Sequence, residues 1–123
     1  MPGTPDRTQQ RNLARGRAGE EAAAAWYVAQ GYQIVARNWR TARGEIDLLC
    51  AGPHGSLLVV CEVKARRTDR LGAPVEAVTP AKQRRLRRLA AEYLRISARH
   101  YDDIRFDVAS VLGTTLTVVE GAF

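Results

Sequence analysis

The sequence predicts a single α/β domain in which helices flank a mixed β-sheet. The chain has 123 residues, of which 46% are hydrophobic, enough for one core of modest size. Segments with helical periodicity alternate with shorter apolar runs that are typical of strands. The predicted order is α-β-β-β-α-β-β, and a helical segment between strands is typical of layered α/β architecture.

The first helix is predicted from about Leu13 to Gln30, through a run of alanines. Gly31 follows it and suits the left-handed position after a helix end. Residues 1–12 contain prolines, glutamines and basic residues but no apolar stretch, which predicts a flexible basic N-terminal tail and not a signal peptide. Residues 13–123 then form the domain.

Three strands are predicted next, over Tyr32 to Arg40, Glu45 to Cys50 and Leu57 to Ala65. The segment 51–56, Ala-Gly-Pro-His-Gly-Ser, is a dense turn signal. It predicts that the second and third strands form an antiparallel hairpin.

The hairpin turn also predicts a register. If it is centred between residues 54 and 55, Asp47 lies opposite Glu62 and Glu45 lies opposite Lys64. Because side chains alternate along a strand, all four would share one face. The other face would then be a continuous apolar surface for a helix to cover, made of Ile46, Leu48, Cys50, Leu57, Val59, Cys61 and Val63.

The second helix has a clear start, with Thr79 as N-cap and Pro80 in the first turn. Apolar residues then recur at helical spacing and predict its buried face. A basic loop from Arg66 to Val78 precedes this helix. Two final strands are predicted at Ile104 to Leu112 and Leu116 to Glu120.

Charge and cysteine content narrow the class of partner and the compartment. The 19 basic and 13 acidic residues give a net charge of +6, which favours a polyanion such as nucleic acid over an anionic membrane surface. No apolar run approaches the roughly 18 residues of a membrane span. Cys50 and Cys61 form neither a disulfide framework nor a zinc set, which predicts a reducing, cytoplasmic setting.

The acidic strand positions predict a metal site. Asp47 and Glu62 each lie within an apolar run, where ionised groups are rare without a partner. Two opposed carboxylates repel, and a hard divalent cation such as Mg²⁺ or Mn²⁺ removes the conflict. The carbonyl of Val63 is a candidate additional ligand. Lys64 would orient a water molecule or stabilise transition-state charge.

Ordinary ion pairs are the alternative, with Glu45 bound to Lys64 and Glu62 bound to an arginine. The count of lysines argues against it, because only Lys64 and Lys82 among the 19 basic residues are lysines. Lysine is a compact charge whose pKa can be shifted for catalysis, unlike that of arginine.

A basic surface is predicted around the second helix and the loop before it. It would contact phosphates without reading sequence, although a charge run is often only a solvated helix face. The candidate nucleic-acid-binding residues are Arg66, Arg67, Arg70, Lys82, Arg84, Arg85, Arg87 and Arg88.

Asp47 followed by Glu62-Val63-Lys64 on a hairpin resembles the core of the PD-(D/E)XK nucleases, which include restriction enzymes and archaeal Holliday-junction resolvases. Gly16 to Glu20 resembles the resolvases' Gly-three-residues-Glu element. From Gly16 to Val119 the pattern is closest to the YraN-like family of small bacterial proteins. That match is carried by Gly19-Glu20, Asn38, Gly44-Glu45-Ile46-Asp47, Glu62-Val63-Lys64, Pro74, Glu76-Ala77-Val78 and Lys82-Gln83.

The resemblance implies a restriction-endonuclease-like fold with Asp47, Glu62 and Lys64 as the catalytic core. It further implies Glu20 as an additional acid and metal ligand. It leaves open whether the chain forms a homodimer, as junction resolvases do.

The predicted function is therefore a Mg²⁺- or Mn²⁺-dependent nuclease acting on nucleic acid, with DNA, including branched DNA, favoured as substrate. The alternative keeps the fold and the basic surface without the chemistry, as a nucleic-acid-binding or adaptor module. A third interpretation is an interaction protein whose arginines serve solubility alone.

Overall fold

The computed structural model describes residues 7–66 and 78–123, which form a five-stranded sheet between two helices. The elements and their order confirm the predicted mixed α/β class. In chain order they are α1 (Arg7–Ala29), β1 (Gln33–Thr41), β2 (Gly44–Ala51), β3 (Leu57–Arg66), α2 (Pro80–Ile96), β4 (Asp103–Leu112) and β5 (Thr115–Val119).

The five strands lie in the order in which they occur in the chain. β3 and β4 are parallel, whereas the other neighbouring pairs are antiparallel. Parallel neighbours require a crossover connection, and α2 lies within it. This connection carries α2 across the face of the sheet.

The two helices cover opposite faces of the sheet, and each face has its own core. Tyr27 of α1 packs with Leu48 and Val59 on one face. Leu89 of α2 packs with Val60 and its neighbours on the other. The predicted apolar face of the hairpin is confirmed except at Ile46, which packs on the opposite face. That opposite face, which carries Glu62, is also apolar along most of its length, and α2 packs on it.

The C-terminal end of α1 lies where Gly31 predicted it. The Tyr32 N–H donates to the Tyr27 carbonyl at 2.9 Å and the Gly31 N–H to the Val28 carbonyl at 3.0 Å, which is the Schellman arrangement. Gly31 adopts φ +90°, which glycine tolerates without strain.

The start of α1 differs from the prediction, because the helix begins at Arg7 and not at Leu13. Residues 7–12, assigned to the flexible tail, are therefore helical. They contain no glycine or proline and are rich in arginine and glutamine, which are good helix formers even without an apolar stripe. Residues 1–6 of the predicted tail lie outside the described residues.

The N-terminal end of α2 confirms its predicted cap. The Thr79 hydroxyl accepts from the Lys82 N–H at 3.2 Å, and Pro80 occupies the first turn. The cap holds Lys82 in the first turn of the helix. Most of the predicted basic loop, including Arg67 and Arg70, lies outside the described residues. Within the described ranges, neither helix has the length and apolarity to cross a membrane.

Candidate active site

The β2–β3 hairpin has the predicted register, but the two strands separate at the acidic residues. Leu48 pairs with Cys61 and Ala51 with Leu58, while the ladder between β2 and β3 ends at Leu48. Beyond that point the Val63 N–H donates to Asp47 Oδ2 at 2.8 Å. The Asp47 carboxylate therefore takes the place of a backbone partner where the strands diverge.

The side-chain alternation of β2 is interrupted at Asp47. Ile46 packs in the core beneath α2, whereas Leu48 packs in the core beneath α1. Residues two apart on a regular strand would share one face. The change of face at Asp47 explains how its carboxylate reaches the edge of β3 rather than lying over the sheet.

Asn38 marks the same interruption in the neighbouring strand. It lies in β1 with φ +49°, a left-handed conformation that Asn adopts more readily than most residues. With its amide nitrogen turned toward the acids, it donates to Glu45 Oε1 at 3.0 Å and to Glu20 Oε1 at 3.2 Å. The opposite orientation leaves one bond of 3.4 Å to Glu20, so we adopt the first. Asn38 thus links α1 to β2 beside Asp47.

The charges of three glutamates act on Asp47 at this end of the sheet. Burial, together with the charges of Glu62, Glu20 and Glu45, raises the pKa of Asp47 to about 7. The hydrogen bond from the Val63 N–H acts in the opposite direction but is outweighed. The surroundings of Asp47 therefore favour the protonated form of its carboxyl group.

Glu62 is the point where both lysines of the chain meet. It is 6% exposed, and its Oε1 lies 2.9 Å from Lys82 Nζ and 3.5 Å from Lys64 Nζ. Among the described residues, Glu45 pairs with Arg40 at 2.7 Å and not with Lys64, and Glu62 pairs with the two lysines and not with an arginine. Lys82, which was predicted to contact phosphate, lies in the site itself.

The two lysines respond to this arrangement in opposite directions. Burial, together with the neighbouring ammonium of Lys82, lowers the pKa of Lys64 despite the attraction of Glu62. Burial also opposes the charge of Lys82, but its bonds to Lys64 and Glu62 outweigh burial and raise its pKa. Lys82 therefore has the higher pKa of the two and stays protonated, whereas Lys64 loses its proton more readily.

The donor set suits a hard divalent cation with several water ligands. Among the described residues, no three His, Cys, Asp or Glu side chains form a group that would hold a metal ion on its own. Asp47 and Glu62 offer two carboxylates, and Mg²⁺ is commonly bound by one or two carboxylates plus water and substrate oxygens. The N–H and C=O of one residue point to the same side of an extended strand, so the Val63 carbonyl is directed toward Asp47.

The other predicted nucleic-acid-binding residues that the structure describes lie on α2 and at the end of β3. Arg84, Arg85 and Arg88 are exposed on α2, and Arg66 is the last residue of β3. The Arg87 guanidinium stacks over the rings of Phe106 and Phe123, at 4.6 and 5.7 Å from the ring centroids. Its packing against the C-terminal segment gives Arg87 a structural contact that the charge pattern did not predict.

Sequence reasoning missed two members of the site. Lys82 had a usable signal, since it is the second of only two lysines in an arginine-rich chain. Asn38 had a weaker signal, since Asn is depleted in strands and its presence within β1 suggests a local irregularity.

Comparisons with known proteins place the chain in a family. The model of the uncharacterised protein family UPF0102 matches residues 19–111. A UPF0102 protein of Rhodococcus jostii is 50% identical over 101 residues, covering 82% of this chain and 84% of the relative. One of Symbiobacterium thermophilum is 53% identical over 96 residues, covering 78% and 80% of the two chains.

A further match covers most of the length of both chains. A UPF0102 protein of Acidothermus cellulolyticus is 43% identical over 125 residues, covering 89% of this chain and 93% of the relative. The family match begins at Gly19 in α1 and ends at Val111 in β4. It therefore includes the acidic cluster, by which we mean Glu20, Glu45, Asp47 and Glu62. The resemblance to the YraN-like family is confirmed, and the chain belongs to the uncharacterised protein family UPF0102.

Proposed function

We propose that this protein is a metal-dependent nuclease that hydrolyses phosphodiester bonds in nucleic acid, with DNA as the favoured substrate. The observation that carries the proposal is the convergence of Asp47 and Glu62 where β2 and β3 separate, beside both lysines of the chain. An acid such as Asp47, whose pKa is raised by burial and by a neighbouring charge, is typical of functional sites.

Asp47, Glu62 and the Val63 carbonyl would hold Mg²⁺ or Mn²⁺, with Glu20 as a further acid beside them. When bound, the ion would polarise the scissile phosphate and lower the pKa of a coordinated water. The crowding that raises the pKa of Asp47 supports this assignment, because a cation relieves the repulsion among the carboxylates.

The protein's own groups divide the remaining tasks. The Val63 N–H orients Asp47, and Asn38 holds Glu20 in place. Lys82 retains its proton and places a positive charge beside the phosphate. Lys64, whose pKa is lowered, orients the attacking water and accepts its proton.

The test is cleavage of a panel of branched, flapped, single-stranded and duplex DNAs with Mg²⁺ or Mn²⁺. We expect Asp47→Asn and Lys64→Ala to reduce cleavage by about 100-fold or more while DNA binding persists. Asp103→Asn is the matched control, because it neutralises an exposed acid at the start of β4. Equal cleavage by all four proteins would identify a contaminating nuclease and remove support for the proposal.

A binding or adaptor module with the same fold is the second candidate. The observation that favours it is the ion pairing of Glu62, whose charge the two lysines compensate without a metal. This candidate predicts salt-sensitive retention of DNA with neither cleavage nor an effect of divalent metal. Absence of DNA retention would instead favour an interaction protein that does not bind nucleic acid.

A further inference from the structure

A cleft lined by arginines lies between the β1–β2 turn and α2. Arg43 reaches it from the turn, and Arg85, Arg88 and Arg95 reach it from the helix; we call these four residues the arginine cleft. One part of it, beside Arg43, Arg88 and Arg95, has a volume of about 410 Å³. Arg43 and Arg95 were not among the nucleic-acid-binding residues predicted from the sequence.

The close approach of the turn to the helix sets the shape of the cleft. Gly44 has φ +150°, and a Cβ atom there would lie 3.2 Å from Leu89 Cδ1 and 3.3 Å from Arg85 Cδ. A side chain at this position would push the turn away from α2. Glycine therefore permits the contact that holds Arg43 beside the helix.

The spacing along α2 connects the cleft to the acidic cluster. Lys82 and Arg85 are three residues apart and therefore lie on the same side of the helix, as do Arg85 and Arg88. Lys82 contacts Glu62 at one end of this row. From Arg85 to Arg95 the helix rises about 15 Å, so the row leads away from the site along the protein surface.

Most of the positive charge in the cleft has no acidic partner. Arg43 pairs with Glu92, whose other carboxylate oxygen is buried without a hydrogen-bond partner. Within the described ranges, no acidic side chain forms an ion pair with Arg85, Arg88 or Arg95. Guanidinium groups present planar sets of donors that match phosphate oxygens, so the cleft suits a ligand with several phosphates in a row.

We propose that the arginine cleft binds consecutive backbone phosphates of the nucleic-acid substrate on one side of the scissile bond. This inference rests on the proposed function and specifies how the substrate lies. The row of about 15 Å matches the length of about four base pairs at 3.4 Å each. A concave cleft that begins beside the acidic cluster fits a nucleic-acid strand better than a flat lipid surface.

The experiment measures binding of a duplex DNA oligonucleotide in EDTA at several salt concentrations, so that cleavage has no part in it. We expect Arg88→Gln to weaken binding several-fold and to reduce the magnitude of the log–log salt slope by about 0.9, the value for one lost phosphate contact. Arg99→Gln removes the same charge near Gly55, at the other end of the hairpin, and should leave the slope unchanged.

Glu92→Gln provides a test of opposite sign. It removes the negative charge of Glu92 from the cleft but keeps an oxygen that can accept from Arg43, so we expect tighter DNA binding. Glu120→Gln, which neutralises an exposed acid just after β5, is its control and should leave binding unchanged. Retained thermal stability of each variant would show that the substitutions act on binding rather than on folding.

The outcomes separate this inference from the proposed function. Equal weakening by Arg88→Gln and Arg99→Gln would overturn it, because net charge would then explain the binding. Retention by phosphatidylserine vesicles but not by DNA would also overturn it. If DNA binds as expected and is never cleaved, the nuclease proposal fails while the cleft stands; if DNA is cleaved and Arg88→Gln binds like wild type, the cleft assignment fails.

Discussion

Two aspartates of the sheet, one fully buried and one half-buried, show how hydrogen bonding separates a structural acid from a candidate functional one. Asp107 is fully buried and accepts from the Tyr27 hydroxyl at 2.6 Å, from Arg105 Nε at 2.8 Å and from the Gly121 N–H at 3.0 Å. Its charge is satisfied, as a structural role requires. Asp47 instead lies among other acids with the Val63 N–H as its donor. The difference in surroundings makes Asp47 costly to the fold.

Asp47→Asn should therefore stabilise the metal-free protein at alkaline pH. The raised pKa of Asp47, about 7 against 3.8 in the unfolded chain, means that the folded state binds the proton more tightly. Wild-type stability then falls as pH rises between these two values, and the full cost is present above about pH 8. Because asparagine stays neutral and can still accept from the Val63 N–H, we expect the variant to be more stable there by at least about 1 kcal/mol.

Urea denaturation in EDTA at acid and alkaline pH measures this effect. The advantage of Asp47→Asn should shrink as the pH falls from about 7 and should vanish well below 3.8, where the wild-type carboxyl is protonated in both states. Asp103→Asn is the control and should show no such dependence. A variant that is less stable than wild type at every pH would contradict the crowding of acids at Asp47.

At the scale of elements, Gly44 allows two elements to approach each other closely. Gly44 allows the β1–β2 turn to contact α2, whereas Gly16 lies within α1 with no atom near its missing Cβ. The same substitution should therefore have opposite effects at the two positions, because only Gly44 combines a positive φ with a close neighbour.

Gly44→Ala should destabilise the protein by about 1–3 kcal/mol, through backbone strain and contact with Leu89. Gly16→Ala should stabilise it by up to about 1 kcal/mol, because alanine is the better helix former. Denaturant unfolding of both variants provides the measurement. Destabilisation of equal size at both positions would show that the turn does not constrain Gly44 as described.

At the scale of the whole molecule, charge is distributed unevenly. The chain carries a net charge of +6, yet Asp47 lies within the electrostatic influence of three glutamates at one end of the sheet. The row of basic residues on α2 leads away from that end, starting at Lys82. An anionic centre beside a cationic surface suits a site that holds a cation and receives a polyanion.

Divalent metal should consequently stabilise the wild-type fold. At a Mg²⁺ or Mn²⁺ concentration about 100 times the dissociation constant, binding to the folded state alone contributes about 2.7 kcal/mol and raises Tm by several degrees. Asp47→Asn should show little of this shift in a thermal melt, because it lacks one of the two proposed carboxylate ligands. A shift of the same size in both proteins would place the metal elsewhere.

Local sequence signals predicted most of the fold. Thr79-Pro80 predicted the start of α2 and Gly31 the end of α1, since capping depends on a few adjacent residues. The hairpin register followed from the turn between β2 and β3. The start of α1 was predicted too late, because residues 7–12 are helical without an apolar stripe.

The site was only partly predictable, since its geometry depends on contacts between distant segments. Asp47, Glu62 and Lys64 were identified because acids and a lysine within apolar strands are unusual. The pairing of Lys82 with Glu62 depends on how α2 crosses the sheet, which spacing alone does not reveal. The role of Asn38 depends on a backbone irregularity opposite Asp47.

The sequence by itself determined the mixed α/β class, the order of the elements, the hairpin register and the acidic residues within β2 and β3. Those features follow from periodicity, capping and turn chemistry, which act over a few neighbouring residues. Tertiary structure alone decided that Lys82 joins Lys64 at Glu62 and that Arg43 joins the arginines of α2. The physical reason is that these contacts join residues far apart in the chain, and only the packing of both helices onto the twisted sheet brings them together.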